Sequence, residues 1–288
     1  MEMKIWTIQF APAGLRFTLN TDSEWISEYF QREYQHLLVD RPGDTTSMTL
    51  VVKETAEEGR SYNCTFPDGS ISDTADLSTV MAWLNRAIKK AFRFGAWWPF
   101  HSGAVIDPQG RCVLLCGHSG SGKTTLCVYL AQHGWQCLTD DLVWFQKGGE
   151  SIQPMPVSFN IRDDVVRSSV VTQSASPFWF PDIDGNRRWI YPNRFLSGGE
   201  KDLRPVAIFL PTFCRGREAE SRRMSTNEAL KATLTNAYSS SDMPLNLAMS
   251  AKLVKQVPVY QLWYPECSVG MKEIVKNLDS QPIGVENS

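Results

Sequence analysis

The stretch GHSGSGKTT, from Gly117 to Thr125, constrains this chain more than any other. Gly117, Gly122, Lys123 and Thr124 satisfy G-x4-G-K-[ST], and each position of that spacing has a physical purpose. Glycines let the backbone turn its N–H groups inward and let anionic oxygens approach closely. A helix starting at the end of the loop adds the positive pole of its dipole. Lys123 has the reach to meet the outer phosphates of a nucleotide, and the Thr124 hydroxyl suits the shell of a Mg2+ ion. The pattern needs a buried strand before it and a helix after it. RCVLLC (111–116) is nearly all apolar, as a strand covered on both faces should be. Lys123–His133 is an apolar helix stopped by Gly134. The run Gly117, His118, Ser119, Gly120, Ser121, Gly122, Lys123, Thr124, Thr125 is therefore the expected cradle for ATP.

The surrounding sequence divides into two expected domains. Residues 1–95 read as a small α+β domain without a chemical motif. Its strands are expected at Lys4–Phe10, Leu15–Asn20, Ser47–Lys53 and Ser61–Phe66, with a helix over Ser23–Leu38. A second helix over Asp76–Phe94 puts Leu77, Val80, Met81, Leu84, Ile88 and Phe92 on one stripe. Residues 96–288 read as an α/β domain with a mixed sheet. In it HSGAVI and RCVLLC flank DPQG as a β-hairpin, and WQCLTDDLVWF supplies a further strand. Ala175–Pro205, aromatic and rich in Pro, Gly and Arg, has no period and reads as a functional loop or an irregular hairpin. Beyond it come a strand at Val206–Leu210 and a helix opened by the capping-box spacing Ser225-Thr-Asn-Glu228. A helix at Leu245–Lys255, a strand at Val257–Trp263 and a helix at Ser268–Leu278 complete the chain.

Two features beside the loop point to chemistry rather than binding alone. Asp140 and Asp141 end the strand WQCLT, where such an enzyme holds Mg2+. Neighbouring strand residues face opposite ways, so both carboxylates can meet the phosphates only if the chain bends there. One is then free to hold metal while the other takes a proton from an attacking hydroxyl. His101 is the second feature. If Asp107 pairs with Gly110 across the hairpin turn, His101 falls opposite Cys116, at the mouth of the loop, where it can orient an aspartate or touch a phosphate.

HSGAV, GHSGSGKTT and TDD together resemble the HPr kinase family, above all the HPr-kinase-related proteins that include lasso-peptide kinases. The resemblance covers about Trp98–Phe145. It implies a P-loop α/β fold akin to phosphoenolpyruvate carboxykinase, oligomeric assembly, and transfer of phosphate from ATP to a serine hydroxyl. By matching position it makes Asp140 the general base, Asp141 its metal-binding neighbour and His101 the histidine near the base. Lys123 and Thr124 match the nucleotide and Mg2+ ligands. Two departures favour the related-kinase branch over HPr kinase proper. Thr125 stands where an acidic residue usually follows, and the downstream arginine-glycine signature has no counterpart closer than NIRDD at 160–164.

A positive group over the γ-phosphate speeds such transfers, and Arg162, Arg187, Arg188 and Arg194 are the candidates. A net charge of -2 excludes an electrostatic grip on nucleic acid or an anionic membrane. No stretch reaches eighteen apolar residues, and no secretory leader is evident. The seven cysteines include no C-x2-C pair, so Cys112, Cys116, Cys127 and Cys137 are expected as reduced core residues of a cytoplasmic protein. The expected activity is an ATP- and Mg2+-dependent kinase whose acceptor is a hydroxyl of a peptide, a protein or a small molecule. The competing class is an ATPase or nucleotide switch that acts on a partner protein.

Overall fold

The computed structural model describes residues 2–10, 15–39, 47–55, 61–66, 68–91, 97–146, 150–163, 178–182, 184, 186–191, 203–237 and 243–280. The chain begins with β1 (Lys4–Phe10), β2 (Leu15–Thr21), α1 (Glu24–Glu33), β3 (Ser47–Thr55), β4 (Ser61–Thr65), β5 (Ile71–Thr74) and α2 (Leu77–Ala91). There follow β6 (Trp97–Ile106), β7 (Cys112–Cys116), α3 (Lys123–Gln132), β8 (Gln136–Thr139), β9 (Leu142–Gln146) and β10 (Ile152–Pro154). Next come β11 (Phe159–Arg162), β12 (Phe178–Pro181) and β13 (Arg187–Tyr191). The last part holds β14 (Pro205–Phe213), β15 (Glu220–Arg223), α4 (Thr226–Asn236), α5 (Met243–Gln256), β16 (Val259–Tyr264) and α6 (Cys267–Asp279). The architecture is mixed α/β. It divides into one unit of Met1–Trp97 with Met155–Arg194 and another of Trp98–Pro154 with Phe195–Ser288.

The first unit contains a five-stranded sheet in the order β1-β2-β3-β4-β5. Phe17, Leu19, Val52, Tyr62 and Cys64 are buried, as are Ile26 and Phe30 of α1 and Val80, Met81, Leu84 and Ile88 of α2. Helix α1 stops at Glu33, short of the expected Leu38. Backbone hydrogen bonding explains the early stop: Gln9 N donates to Leu37 O at 2.8 Å and Val39 N to Thr7 O at 2.9 Å, so the chain leaves the helix to cover the free side of β1. A three-stranded sheet, β11-β13-β12, belongs to the same unit. Asn160 Nδ2 donates to Glu33 Oε1 at 2.8 Å, Ser158 Oγ donates to Arg32 O at 2.6 Å, and Trp25 and Tyr29 pack on Phe178 and Phe180. The stretch without periodicity thus contains a hairpin. The chain passes between the two units three times, after Trp97, Pro154 and Arg194, rather than once near residue 95.

The second unit is built on an eight-stranded sheet ordered β10-β9-β6-β7-β14-β16-β15, with β8 also paired to β6. Strands β7, β14 and β16 are parallel, and β6 runs antiparallel to β7. Every residue of β7 is buried. Cys112, Leu114 and Cys116 join Ile208 of β14, Ala229 of α4 and Met249 and Leu253 of α5 in one apolar cluster. Helices α3 and α6 pack on each other, with Leu126, Leu130, Ile274 and Leu278 buried. All seven cysteines are free. Burial pushes the Cys116 thiol up to about 12 and raises Cys137 well above its ordinary value, so both remain neutral core thiols.

The hairpin into the glycine loop forms, but with a register one residue away from expectation. Ile106 pairs with Cys112 and Ser102, not His101, with Cys116. Gly110 causes the shift. It adopts φ +82, and Asp107 N donates to Arg111 O at 3.1 Å, so three residues rather than two lie outside the ladder. The buried Asp107 carboxylate holds the turn, accepting from Arg111 N at 2.8 Å and Arg111 Nε at 2.6 Å. A Cβ at Gly110 would touch nothing within 4 Å, so only backbone strain opposes a side chain there. Gly110→Ala is expected to lower stability by about 1–2 kcal/mol in urea unfolding, and Gly110→Asn by less than half of that. An alanine variant as stable as the parent chain would show that this turn does not need the left-handed conformation.

Candidate active site

The glycine loop joins the end of β7 to the start of α3, and bonds from three directions fix its shape. Gly117 N donates to Asn236 Oδ1 at 3.1 Å, at the end of α4. Phe213 N donates to Ser121 O at 3.2 Å, at the end of β14. The Tyr264 hydroxyl, at the end of β16, donates to Gly122 O at 3.2 Å. Gly122 stands at φ +95 immediately before Lys123, and a Cβ there would collide with the Tyr264 hydroxyl. Only glycine satisfies both the dihedral and the space, so the tyrosine and the glycine together set where α3 begins. The first N–H groups of α3 then face the loop with no helical partner, as an anion requires.

Lys123 is 7% exposed. Its ammonium donates to Gly117 O at 3.2 Å and lies 2.9 Å from His101 Nε2. An ammonium has only protons to give, so Nε2 is the acceptor and the imidazole proton sits on Nδ1. Nδ1–H is directed at Asp141, 2.8 Å from its backbone oxygen and 3.1 Å from Oδ1. Asp141, His101 and Lys123 therefore form one hydrogen-bonded line into the loop. The one-residue register shift does not remove His101 from the site, because it leaves His101 just beyond the Ser102–Cys116 pair, level with the start of the loop.

The aspartate pair sits at a break in the strand expected over WQCLTDDLVWF. Strands β8 and β9 are separated at Asp140 and Asp141, and Ser102 N donates to Asp141 O at 3.0 Å across the break. This bend lets the two carboxylates escape the alternation of a regular strand. Asp140 is buried, and burial pushes its carboxyl up to about 6. The Asp141 charge acts in the same direction, while a hydrogen bond with the Thr124 side chain and the Lys123 ammonium pull it back. A carboxylate so placed is largely ionised at neutral pH and still a better base than a solvated one.

The rest of the loop is less tightly engaged. His118 is exposed and turns its Nδ1 to Ser119 O at 2.9 Å. Ser119 and Gly120 are exposed, and Thr124 and Thr125 are half-buried. Ser121 is buried, and its Oγ has no hydrogen-bond partner among the described residues. The candidate arginines lie in the other unit. Arg188 pairs with Asp182 at 2.9 Å, Arg187 lies over the Trp179 ring at 4.7 Å, and Arg162 stands opposite Arg188 in the β11–β13 ladder. Arg194 falls outside the described residues. Asn236, Phe213 and Tyr264, each in contact with the loop, escaped sequence reasoning because they are 90 or more residues away and carry no local pattern. Among the described residues no cluster of three or more His, Cys, Asp or Glu is placed to hold a metal. The oxygens on offer are those of Thr124, Asp140 and Asp141.

No protein-family model matches the chain. The HPr(Ser) kinase/phosphatase from Coxiella burnetii aligns structurally over 63% of this chain and 95% of that one, with a TM-score of 0.29 and 11% identity. A stretch of 71 residues is 35% identical to an HPr kinase/phosphorylase of Chlorobium phaeovibrioides. It covers 25% of this chain, which spans about a fifth of the length of that relative. The sequence match relates the chain to the HPr kinase family. Among the described residues no helix is long and apolar enough to cross a membrane.

The buried Asp140 has a consequence for stability. Its carboxyl rises from 3.8 to about 6 on folding, so its contribution is fully present below pH 4 and is lost as pH climbs through about 6. In the absence of metal and nucleotide, Asp140→Asn is expected to stabilise the chain at pH 8 by up to about 3 kcal/mol, with little gain at pH 4. Thermal melts at the two pH values check this. Equal melting shifts at both would show that the carboxyl is not strained by burial.

Proposed function

We propose that this chain is an ATP- and Mg2+-dependent phosphotransferase of the HPr kinase-related type. Its second unit is a P-loop domain akin to phosphoenolpyruvate carboxykinase, and its acceptor is a hydroxyl, in the first place a serine of a peptide or protein. One observation carries this reading: Lys123, His101 and Asp140 converge beside the mouth of the glycine loop, with Asp141 bonded to His101 and Thr124 to Asp140. The fit to a triphosphate rests on this chain's own groups. Among the described residues the Ser121 hydroxyl has no partner, and the buried Lys123 ammonium keeps a third N–H for anionic oxygens beside its bonds to Gly117 O and His101 Nε2. Thr124 and Asp141 would hold Mg2+, aided by Asp140, and the ion would neutralise charge on the phosphates.

The triphosphate lies along Gly117–Thr125, its terminal phosphate next to Lys123. Asp140 accepts the proton of the acceptor hydroxyl as the new O–P bond forms in line. The bond from the γ-phosphorus to the bridging oxygen breaks at the same time, and ADP leaves with that electron pair. Lys123 meets the negative charge that develops on the leaving oxygen. His101 acts as a positioning residue, because its neutral Nε2 holds Lys123 and its Nδ1–H holds Asp141. A cytoplasmic location belongs to this reading, since the seven free cysteines suit a reducing compartment.

Incubation with γ-labelled ATP, Mg2+ and a panel of hydroxyl-bearing acceptors tests the reaction class. Label is expected on an acceptor, and Asp140→Asn is expected to slow transfer by about 10^2–10^4-fold with ATP binding retained. Label released solely as inorganic phosphate would instead make the chain an ATPase or nucleotide switch. Transfer by the variant at the parent rate would remove Asp140 from the role of base.

A further inference from the structure

We propose that the exposed ring of Phe213 is the seat of the nucleotide base, which makes the end of β14 a purine-stacking platform. The inference rests on the reading that the glycine loop holds a triphosphate, and it adds the part of the ligand which that reading leaves unplaced. Sheet order provides the direction. Strands β6 and β8, which bring His101 and Asp140, lie on one side of β7, and β14 and β16 lie on the other. The three parallel strands β7, β14 and β16 open at the same edge, where ligands of α/β sheets bind. A nucleoside triphosphate is anionic at one end and aromatic at the other. With its terminal phosphate at Lys123 on the Asp140 side, its base leaves the loop on the side of β14 and β16.

Phe213 is built to receive it. It is 44% exposed, whereas its ladder partner Tyr264 is fully buried. The two rings meet edge to face at 5.8 Å and 70°. Phe213 N donates to Ser121 O at 3.2 Å, and its Cβ lies 3.3 Å from where a Cβ on Gly122 would stand. The Phe213 backbone is thus tied to the loop and its ring packs on Tyr264, while much of the side chain stays open to water. Among the described residues of the glycine-loop unit, the other large exposed apolar side chains are Met243 and Leu247, both on α5. A rigid exposed ring next to a phosphate cradle offers stacking to any base, with the larger purine face preferred.

Calorimetric titration of the full chain with ATP and with inorganic tripolyphosphate, both in Mg2+, separates the base from the phosphates. Phe213→Ala is expected to weaken ATP about tenfold and to leave tripolyphosphate unchanged. Phe213→Leu keeps an apolar side chain on Tyr264 and guards against loss of folding; it should weaken ATP similarly, while Phe213→Tyr should bind ATP as the parent does. ATP affinity unaltered in both the alanine and leucine variants would overturn the base seat, and so would equal losses for ATP and tripolyphosphate. In either case, parent chain that binds both ligands leaves the phosphotransferase reading intact. Parent chain that binds neither ligand overturns the cradle itself, and the platform with it.

Discussion

A lysine ammonium almost removed from water is the fixed point of the glycine-loop unit. Lys123 opens α3, and a charge buried at that depth must be matched by acceptors nearby. The structure supplies a carbonyl from Gly117, a neutral imidazole from His101 and the charge of Asp140. Each comes from a different element, so satisfying one side chain dictates that β6 lie beside β7 and that β8 end close to both. The eight-stranded sheet is the scaffold for that arrangement. Its fully buried β7 brings the chain to the loop without freedom to wander.

The same demand gives the site two unlike sides. Toward β6 and β8 it is ionic, with two carboxylates at a break in the strand and a histidine whose two nitrogens face opposite partners. Toward β14 and β16 it is aromatic, with Tyr264 under the loop and Phe213 beside it. A ligand with a charged tail and a flat apolar head is the chemical complement of this division. The imidazole links the ionic side: while neutral it accepts from Lys123, and its remaining proton restrains Asp141.

Much of this was legible in the chain, for identifiable reasons. The glycine loop, its strand and its helix are local, and their signals lie within twenty-five residues. The capping box at Ser225 and Glu228 forms as its spacing predicts, because the Ser225 side chain and the Glu228 backbone are three residues apart. The need for a bend at Asp140 and Asp141 followed from strand alternation alone. The hairpin register differs by one residue from the spacing's expectation because a single glycine in a left-handed conformation, Gly110, moves the pairing from Gly110 to Arg111. Helix α1 ends short of its apolar spacing because the chain at Leu37 and Val39 bonds to β1 instead.

The sequence by itself determined the glycine loop, the strand and helix that flank it and the pairing of that spacing with adjacent aspartates, since these are matters of residue type at short separation. Tertiary structure alone decided that Asn236, Phe213 and Tyr264 support the loop, that residues 155–194 join the first unit, and that His101 meets Lys123. Those outcomes depend on contacts between segments far apart in the chain, where hydrogen-bond satisfaction and packing choose the partner and no local pattern records the choice.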